Sequence, residues 1–179
     1  MRASLSDCLS RDADHMSEVL HAGLMAFHFR GYWRGVLITG PSGSGKSDLA
    51  LRMMQGGFQL VADDRVVIWG SEGALFGQSP RALTGKLEVR GQGIFDDQSY
   101  RPRARIVLEA HHGESDRWPE PDHADYLGLR IPRLTLSLMD ISAVSKLSHA
   151  LRHLGGGAEG AYLDGLASTA SLRSGGDSR

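Results

Sequence analysis

A chain of 179 residues is the length of one domain, and 41% apolar residues are enough to give it a core. Twenty basic against twenty-one acidic side chains leave a formal net charge of −1, without the basic excess of a nucleic-acid or membrane-surface binder. Cys8 is the one cysteine, which excludes an internal disulfide, and no stretch reaches the roughly 20 apolar residues of a membrane-spanning helix.

Residues 1–16 read as a loose polar head; 1–14 lack the apolar run of a signal peptide, so a cytoplasmic location is expected. Val19 to Phe29 reads as one strand, and Arg30 to Gly35 as the turn that reverses it. Val36-Leu37-Ile38-Thr39 is a short apolar run ending at glycine, the profile of a buried strand. Ser47 to Gln55 reads as a helix with Leu49, Ala50, Met53 and Met54 on one face, ended by Gly56-Gly57. Strands follow at Phe58 to Ala62 and Val66 to Trp69, split by Asp63-Asp64-Arg65. Ala74 to Phe76 is placed to pair back with the second of these. Leu87 to Val89, Ala104 to Ala110 and Leu134 to Leu138 complete the strand set. Ala143 to Leu154 carries Val144, Leu147, Leu151 and Leu154 at helical spacing. Residues 155–179 are rich in Gly, Ser and Ala and read as a disordered tail, leaving 17–154 as the ordered body. The expected fold class is α/β, a single domain with a mixed sheet.

One motif carries chemistry at once. Gly40-Pro41-Ser42-Gly43-Ser44-Gly45-Lys46-Ser47 follows a buried strand and opens a helix, the context of a P-loop. Glycines there let backbone N–H groups converge on an anion, and the helix N-terminus adds partial positive charge. Lys46 would reach the terminal phosphates and the Ser47 hydroxyl would take Mg²⁺. Asp63-Asp64, at the end of the strand run 60–62, supplies acids beside that loop. Such an acid can hold Mg²⁺ or accept a hydroxyl proton, and two in a row permit both.

Three segments in order, GVLITGPSGSGKSDLALR (35–52), LVADD (60–64) and LEVRGQGIF (87–95), resemble HPr kinase/phosphorylase. The resemblance is to the short form of that family, the kinase domain alone, and is weaker over 17–34 and 96–154. It implies a P-loop domain similar to phosphoenolpyruvate carboxykinase. It also implies ATP and Mg²⁺ as cofactors, and transfer to a serine of HPr, the small carrier protein of the bacterial phosphotransferase system. The same family removes that phosphate by phosphorolysis, using phosphate and yielding pyrophosphate, and forms hexamers, so a homo-oligomer is implied. By position, Lys46 and Ser47 match the phosphate and Mg²⁺ pair, Asp64 the proton acceptor, and Glu88 the metal-associated glutamate of the signature segment. His21 matches a histidine on the strand before the P-loop, and Arg117 a family arginine. The signature loop is Leu87, Glu88, Val89, Arg90, Gly91, Gln92 and Gly93, in which Arg90 is placed to stabilise phosphoryl charge.

Two departures bear on activity. Long forms carry a Pro-Gly-Arg-Asn segment tied to dephosphorylation, and the matching stretch here, Leu138-Met139-Asp140-Ile141-Ser142, lacks it, which implies weak phosphorolysis. Phe95-Asp96-Asp97 is more acidic than the family pattern. Elsewhere, Glu109 to Asp125 reads as a solvated loop in spite of its histidines and acids, since no metal-site spacing occurs. Arg101, Arg103 and Arg105 read as a solvated strand face, and His28 as structural. Trp33 fits either a partner contact or a cap on the core. Two further functions fit the P-loop: an ATPase or GTPase with water as acceptor, and a non-catalytic nucleotide sensor.

Overall fold

The computed structural model describes residues 16–96, 99–117 and 119–153. The expected polar head, apart from Met16, and the expected tail lie outside the described residues. The order of elements is β1 (Ser17–Leu20), β2 (Gly23–Phe29), β3 (Tyr32–Thr39), α1 (Lys46–Gln55), β4 (Gln59–Ala62), β5 (Val66–Ser71) and β6 (Ala74–Gln78). There follow β7 (Leu87–Val89), β8 (Gly93–Phe95), β9 (Arg103–His112), β10 (Asp122–Tyr126), β11 (Leu129–Leu136) and α2 (Ala143–His153).

Nine strands make one mixed sheet in the order β1-β5-β6-β9-β3-β2-β4, with β11 branching from β9 and β10 pairing with β11. β3 and β11 both run parallel to β9, and the remaining pairs are antiparallel. β7 and β8 form a separate hairpin. The strand alternation sorts side chains onto two faces. Met25, Phe27, Val36, Ile38 and Leu60 meet Leu49, Met53, Leu147 and Leu151 of the two helices. Leu24, Ala26, Leu37 and Val61 face the other way and meet Val66, Ile68, Leu75 and Ile131. Gly77 of β6 lies so near Leu24 of β2 that a Cβ would sit 2.7 Å from its methyl carbon, so this second core closes only over glycine.

The expected strand Val19 to Phe29 is two strands with different partners. Val19 and Leu20 pair with β5, and the chain then crosses at His21-Ala22 to pair as β2 with β3 and β4. The apolar residues on either side of His21 read as one strand, and the change of partner falls at that break. The expected turn Arg30 to Gly35 is only Arg30-Gly31, both left-handed at φ 50 and 85, and Tyr32 to Gly35 already belong to β3. Trp33 therefore sits in a strand, between exposed His28 at 5.0 Å and the Arg101 guanidinium at 3.8 Å from its ring centre. Arg101 is thus not part of an alternating solvated face.

The expected solvated loop Glu109 to Asp125 begins and ends in strands. Glu109 is 1% exposed in β9, where its carboxylate accepts hydrogen bonds from Thr39 Oγ1, from Tyr126 OH at 3.0 Å and from Arg133 Nε at 2.8 Å. Burial pushes the Tyr126 phenol far above its ordinary pKa, and the Glu109 charge adds to the effect. Burial works against the Arg133 charge, but the Glu109 bond and charge outweigh it and its pKa rises. This cluster joins β3, β9, β10 and β11 one residue before Gly40. Glu109→Ala is expected to destabilise the domain by about 2 kcal/mol. That is below the roughly 3–5 kcal/mol of a fully buried broken pair, because Arg133 is partly exposed. Tyr126→Phe should cost about 1 kcal/mol. Urea midpoints measure both, and a Glu109→Ala midpoint equal to wild type would show that the cluster does not hold the sheet.

Candidate functional site

The loop Gly40 to Ser47 joins the carboxyl end of β3 to the first turn of α1. A side chain is disfavoured at two of its glycines. At Gly40, with φ 149, a Cβ would lie 2.6 Å from the His112 Cβ; at Gly45, with φ 92, it would lie 2.4 Å from Met139 Sδ. Gly45 is the N-cap of α1 and makes no side-chain cap, so the first N–H groups of the helix remain for an anion. Lys46 is 8% exposed and its Nζ donates to the carbonyls of Gly40 and Pro41, each at 3.0 Å. Burial lowers its pKa, opposed by the charges of Asp64 and Asp63.

The two adjacent acids do different things. Asp63 is 5% exposed, accepts the Ser47 hydroxyl at 3.0 Å on Oδ1 and the Glu88 backbone N–H at 3.1 Å on Oδ2. Burial pushes its carboxyl pKa up, and those two hydrogen bonds pull it back. Asp64 is left-handed at φ 65 and exposed, which turns its side chain the other way. Its Oδ1 lies 3.4 Å from His21 Nδ1 and its Oδ2 lies 3.6 Å from Arg65 Nε. His21 occupies the corner between β1 and β2, where the Ala22 N–H donates to the Asp64 carbonyl at 3.2 Å. That corner, rather than a strand before β3, brings the histidine to the acid.

A cavity of about 330 Å³ collects these residues. His21, Ser42, Gly43, Gly45, Lys46, Ser47, Asp64, Glu88, Val89 and Arg90 line it, together with Asp48, Leu51 and Met139, which sequence reasoning did not single out as site residues. Leu87 instead enters the helix-side core, and Arg90 to Gln92 form the β7–β8 turn before Gly93 opens β8; the Gln92 N–H donates to the Val89 carbonyl at 2.9 Å. Arg117 is exposed in the segment after β9 and does not line the cavity. Asp63 was missed as a distinct role, because two adjacent aspartates read alike until the backbone turns between them.

The arrangement suits an anion at the loop and a hard cation beside it, since Ser47, Asp63 and Glu88 offer only oxygen donors. Among the described residues no three His, Cys, Asp or Glu side chains enclose a metal by themselves. A cation here would share its shell with water and with the oxygens of the anion, as Mg²⁺ does.

Fold and site together define the class: a single mixed-sheet domain with a glycine-rich strand-to-helix loop and a divided acidic pair at its edge. The model of the HPr Serine kinase C-terminal domain matches residues 16–150, and the chain belongs to that family. It is similar to an HPr kinase/phosphorylase of Clostridium beijerinckii, 35% identical over 117 residues, covering 58% of this chain and 39% of the relative. The HPr kinase/phosphorylase of Clostridium tetani is 55% identical over 101 residues, covering 55% of this chain and 33% of the relative. The matches therefore span no more than about two fifths of these relatives' length. The structure of an HPr(Ser) kinase/phosphatase from Coxiella burnetii superposes with a TM-score of 0.63 at 23% identity. It covers 77% of this chain and 99% of that one, and shares the fold. No helix among the described residues is long and apolar enough to cross a membrane.

The wall of the cavity near Met139 gives a pH test. Asp140 accepts Lys146 Nζ at 2.8 Å and the Ser142 N–H at 3.0 Å, which holds its carboxyl down at about 2. A depressed carboxyl adds stability that is fully present above its unfolded pKa and lost as pH falls through the folded one. Asp140→Ala is therefore expected to melt below wild type at pH 7, with the gap narrowing from pH 4 toward pH 2. A gap that stays constant over that range would remove Asp140 from the start of α2.

Proposed function

We propose that this domain is an ATP-dependent protein serine kinase that phosphorylates HPr, with a P-loop fold like that of phosphoenolpyruvate carboxykinase. Residues 17–154 form the kinase body. The observation that carries this reading is the division of the acidic pair. Asp63 is committed to Ser47 and the Glu88 backbone, whereas Asp64 faces the cavity beside His21. A site that only bound nucleotide would need the first acid and not the second. The names of the relatives, HPr kinase/phosphorylase, support the same reading.

In this reading the loop amides from Gly43 to Ser47 and the Lys46 ammonium hold the donor phosphates. Lys46 exchanges its two carbonyl partners for phosphate oxygens. The acceptor serine oxygen attacks the terminal phosphorus, its proton passes to Asp64, and ADP departs as the bond to the β–γ bridging oxygen breaks. His21 orients the Asp64 carboxylate. Arg90, exposed on the cavity rim, stabilises charge on the transferred group. Ser47 and Glu88, with Asp63 behind Ser47, would hold Mg²⁺, which would neutralise phosphate charge. Arg117 would have to reach the cavity by movement of its segment or from another copy, in keeping with a hexameric homo-oligomer. Phosphorolysis, in which phosphate takes the phosphoryl group from phosphoserine and pyrophosphate leaves, is expected to be weak without the Pro-Gly-Arg-Asn segment.

Incubation of the protein with γ-³²P-ATP, Mg²⁺ and purified HPr tests this. Label on an HPr serine is expected, lost in Lys46→Ala while the melting temperature changes little. Release of free phosphate with HPr unlabelled would mean that water is the acceptor and the domain is an ATPase.

A further inference from the structure

The cavity lining is mixed: Lys46, Ser47, Asp64 and Glu88 are polar, and Leu51, Val89 and Met139 supply its apolar part. Leu51 and Val89 are half-buried and also pack on the helix-side core. Met139 belongs to no core: it is 61% exposed, on the segment between β11 and α2. Its sulfur rests against Gly45, at the spot where a Cβ would intrude.

That segment is nevertheless fixed. Arg52, one turn along α1 from Asp48, donates to the Leu138 carbonyl through one terminal nitrogen and to the Asp140 carbonyl at 3.2 Å through the other. Its Nε donates to Asp48 Oδ2 at 2.8 Å. The Asp140 N–H donates to the Ser137 carbonyl at 3.1 Å, and its carboxylate holds Lys146 and the Ser142 N–H. The backbone on both sides of Met139 is thus tied to α1 and α2, while its side chain stands at the cavity. Arg52 also neutralises Asp48, the acid in the first turn of α1, which would otherwise repel a polyphosphate leaving the loop along the helix.

An apolar side chain on a held backbone, exposed at a cavity wall, is built to meet an apolar part of a ligand. In-line transfer places the leaving group on the side of the phosphorus away from the acceptor. With the acceptor at Asp64, the leaving nucleoside would lie along the lining beside the loop, where Met139 rests against Gly45. We propose that Met139 contacts the nucleoside of a nucleoside triphosphate, its thioether lying against the base or ribose. The proposal rests on reading the cavity as a nucleotide site.

Calorimetric titration of the full chain with Mg²⁺–ATP and, separately, with Mg²⁺–pyrophosphate tests it, since pyrophosphate has no nucleoside. Met139→Ser is expected to weaken ATP about three- to tenfold and leave pyrophosphate affinity unchanged. Its exposure protects the fold from the change, which the melting temperature checks. Met139→Leu should recover most of the ATP affinity. Unchanged ATP affinity in Met139→Ser, or equal losses for both ligands, would overturn the assignment. A wild-type protein that binds neither ligand would instead sink the nucleotide reading, and the proposal with it.

Discussion

A single buried carboxylate ties the site together. Asp63 takes the hydroxyl of Ser47 at the start of α1 and the backbone N–H of Glu88 in β7, so one side chain joins three segments. Without it the hairpin β7–β8, which stands apart from the main sheet, would lose its hydrogen bond to the turn after β4. Burial raises the Asp63 pKa even against both donors, so the charged site is assembled at some cost to the unliganded fold. A bound cation beside Ser47 would offset that cost, which couples ligand binding to stability.

A second constraint lies behind the loop. β9 changes partner along its length, pairing with β6 at Arg103 to Ile106 in sequence register with Leu75 to Gln78, and with β11 from Glu109 to His112. Where the partners change, the Glu109 cluster fills the interior, and Thr39 reaches into it from the residue before Gly40. His111 Nδ1 lies 2.9 Å from the same threonine hydroxyl. The loop is therefore anchored at its strand end by Thr39 and at its helix end by the Ser47–Asp63 bond. A glycine-rich segment with little intrinsic stiffness is held by its neighbours.

The loop, α1 and most strands are legible in the sequence because each rests on a local signal: an apolar run, a helical period, a glycine stop. Helix Ala143 to His153 shows the period plainly through Leu147 and Leu151. What is not legible depends on partners distant in the chain. Val19 to Phe29 reads as one strand and yet divides between β5 and the β3–β4 pair. β10 reads as loop because only Ala124 of its five residues is buried, and β8 because all three of its residues are exposed. Glu109 reads as a solvated acid because its partners Thr39, Tyr126 and Arg133 are spread over 95 positions of the chain, from 39 to 133. The acidic pair was readable as a pair, but its division comes from the left-handed backbone at Asp64, which no composition signals.

The central claim is that adjacent aspartates serve different steps, and one paired measurement tests it most directly. Mg²⁺–ATP affinity by calorimetry and γ-³²P transfer to HPr would be measured for Asp63→Asn and Asp64→Asn side by side. The account predicts that Asp64→Asn binds Mg²⁺–ATP as wild type does and loses transfer by about a hundredfold or more. Asp63→Asn, by contrast, loses affinity and transfer together. Transfer near the wild-type rate by Asp64→Asn, with Mg²⁺–ATP bound, would contradict the account.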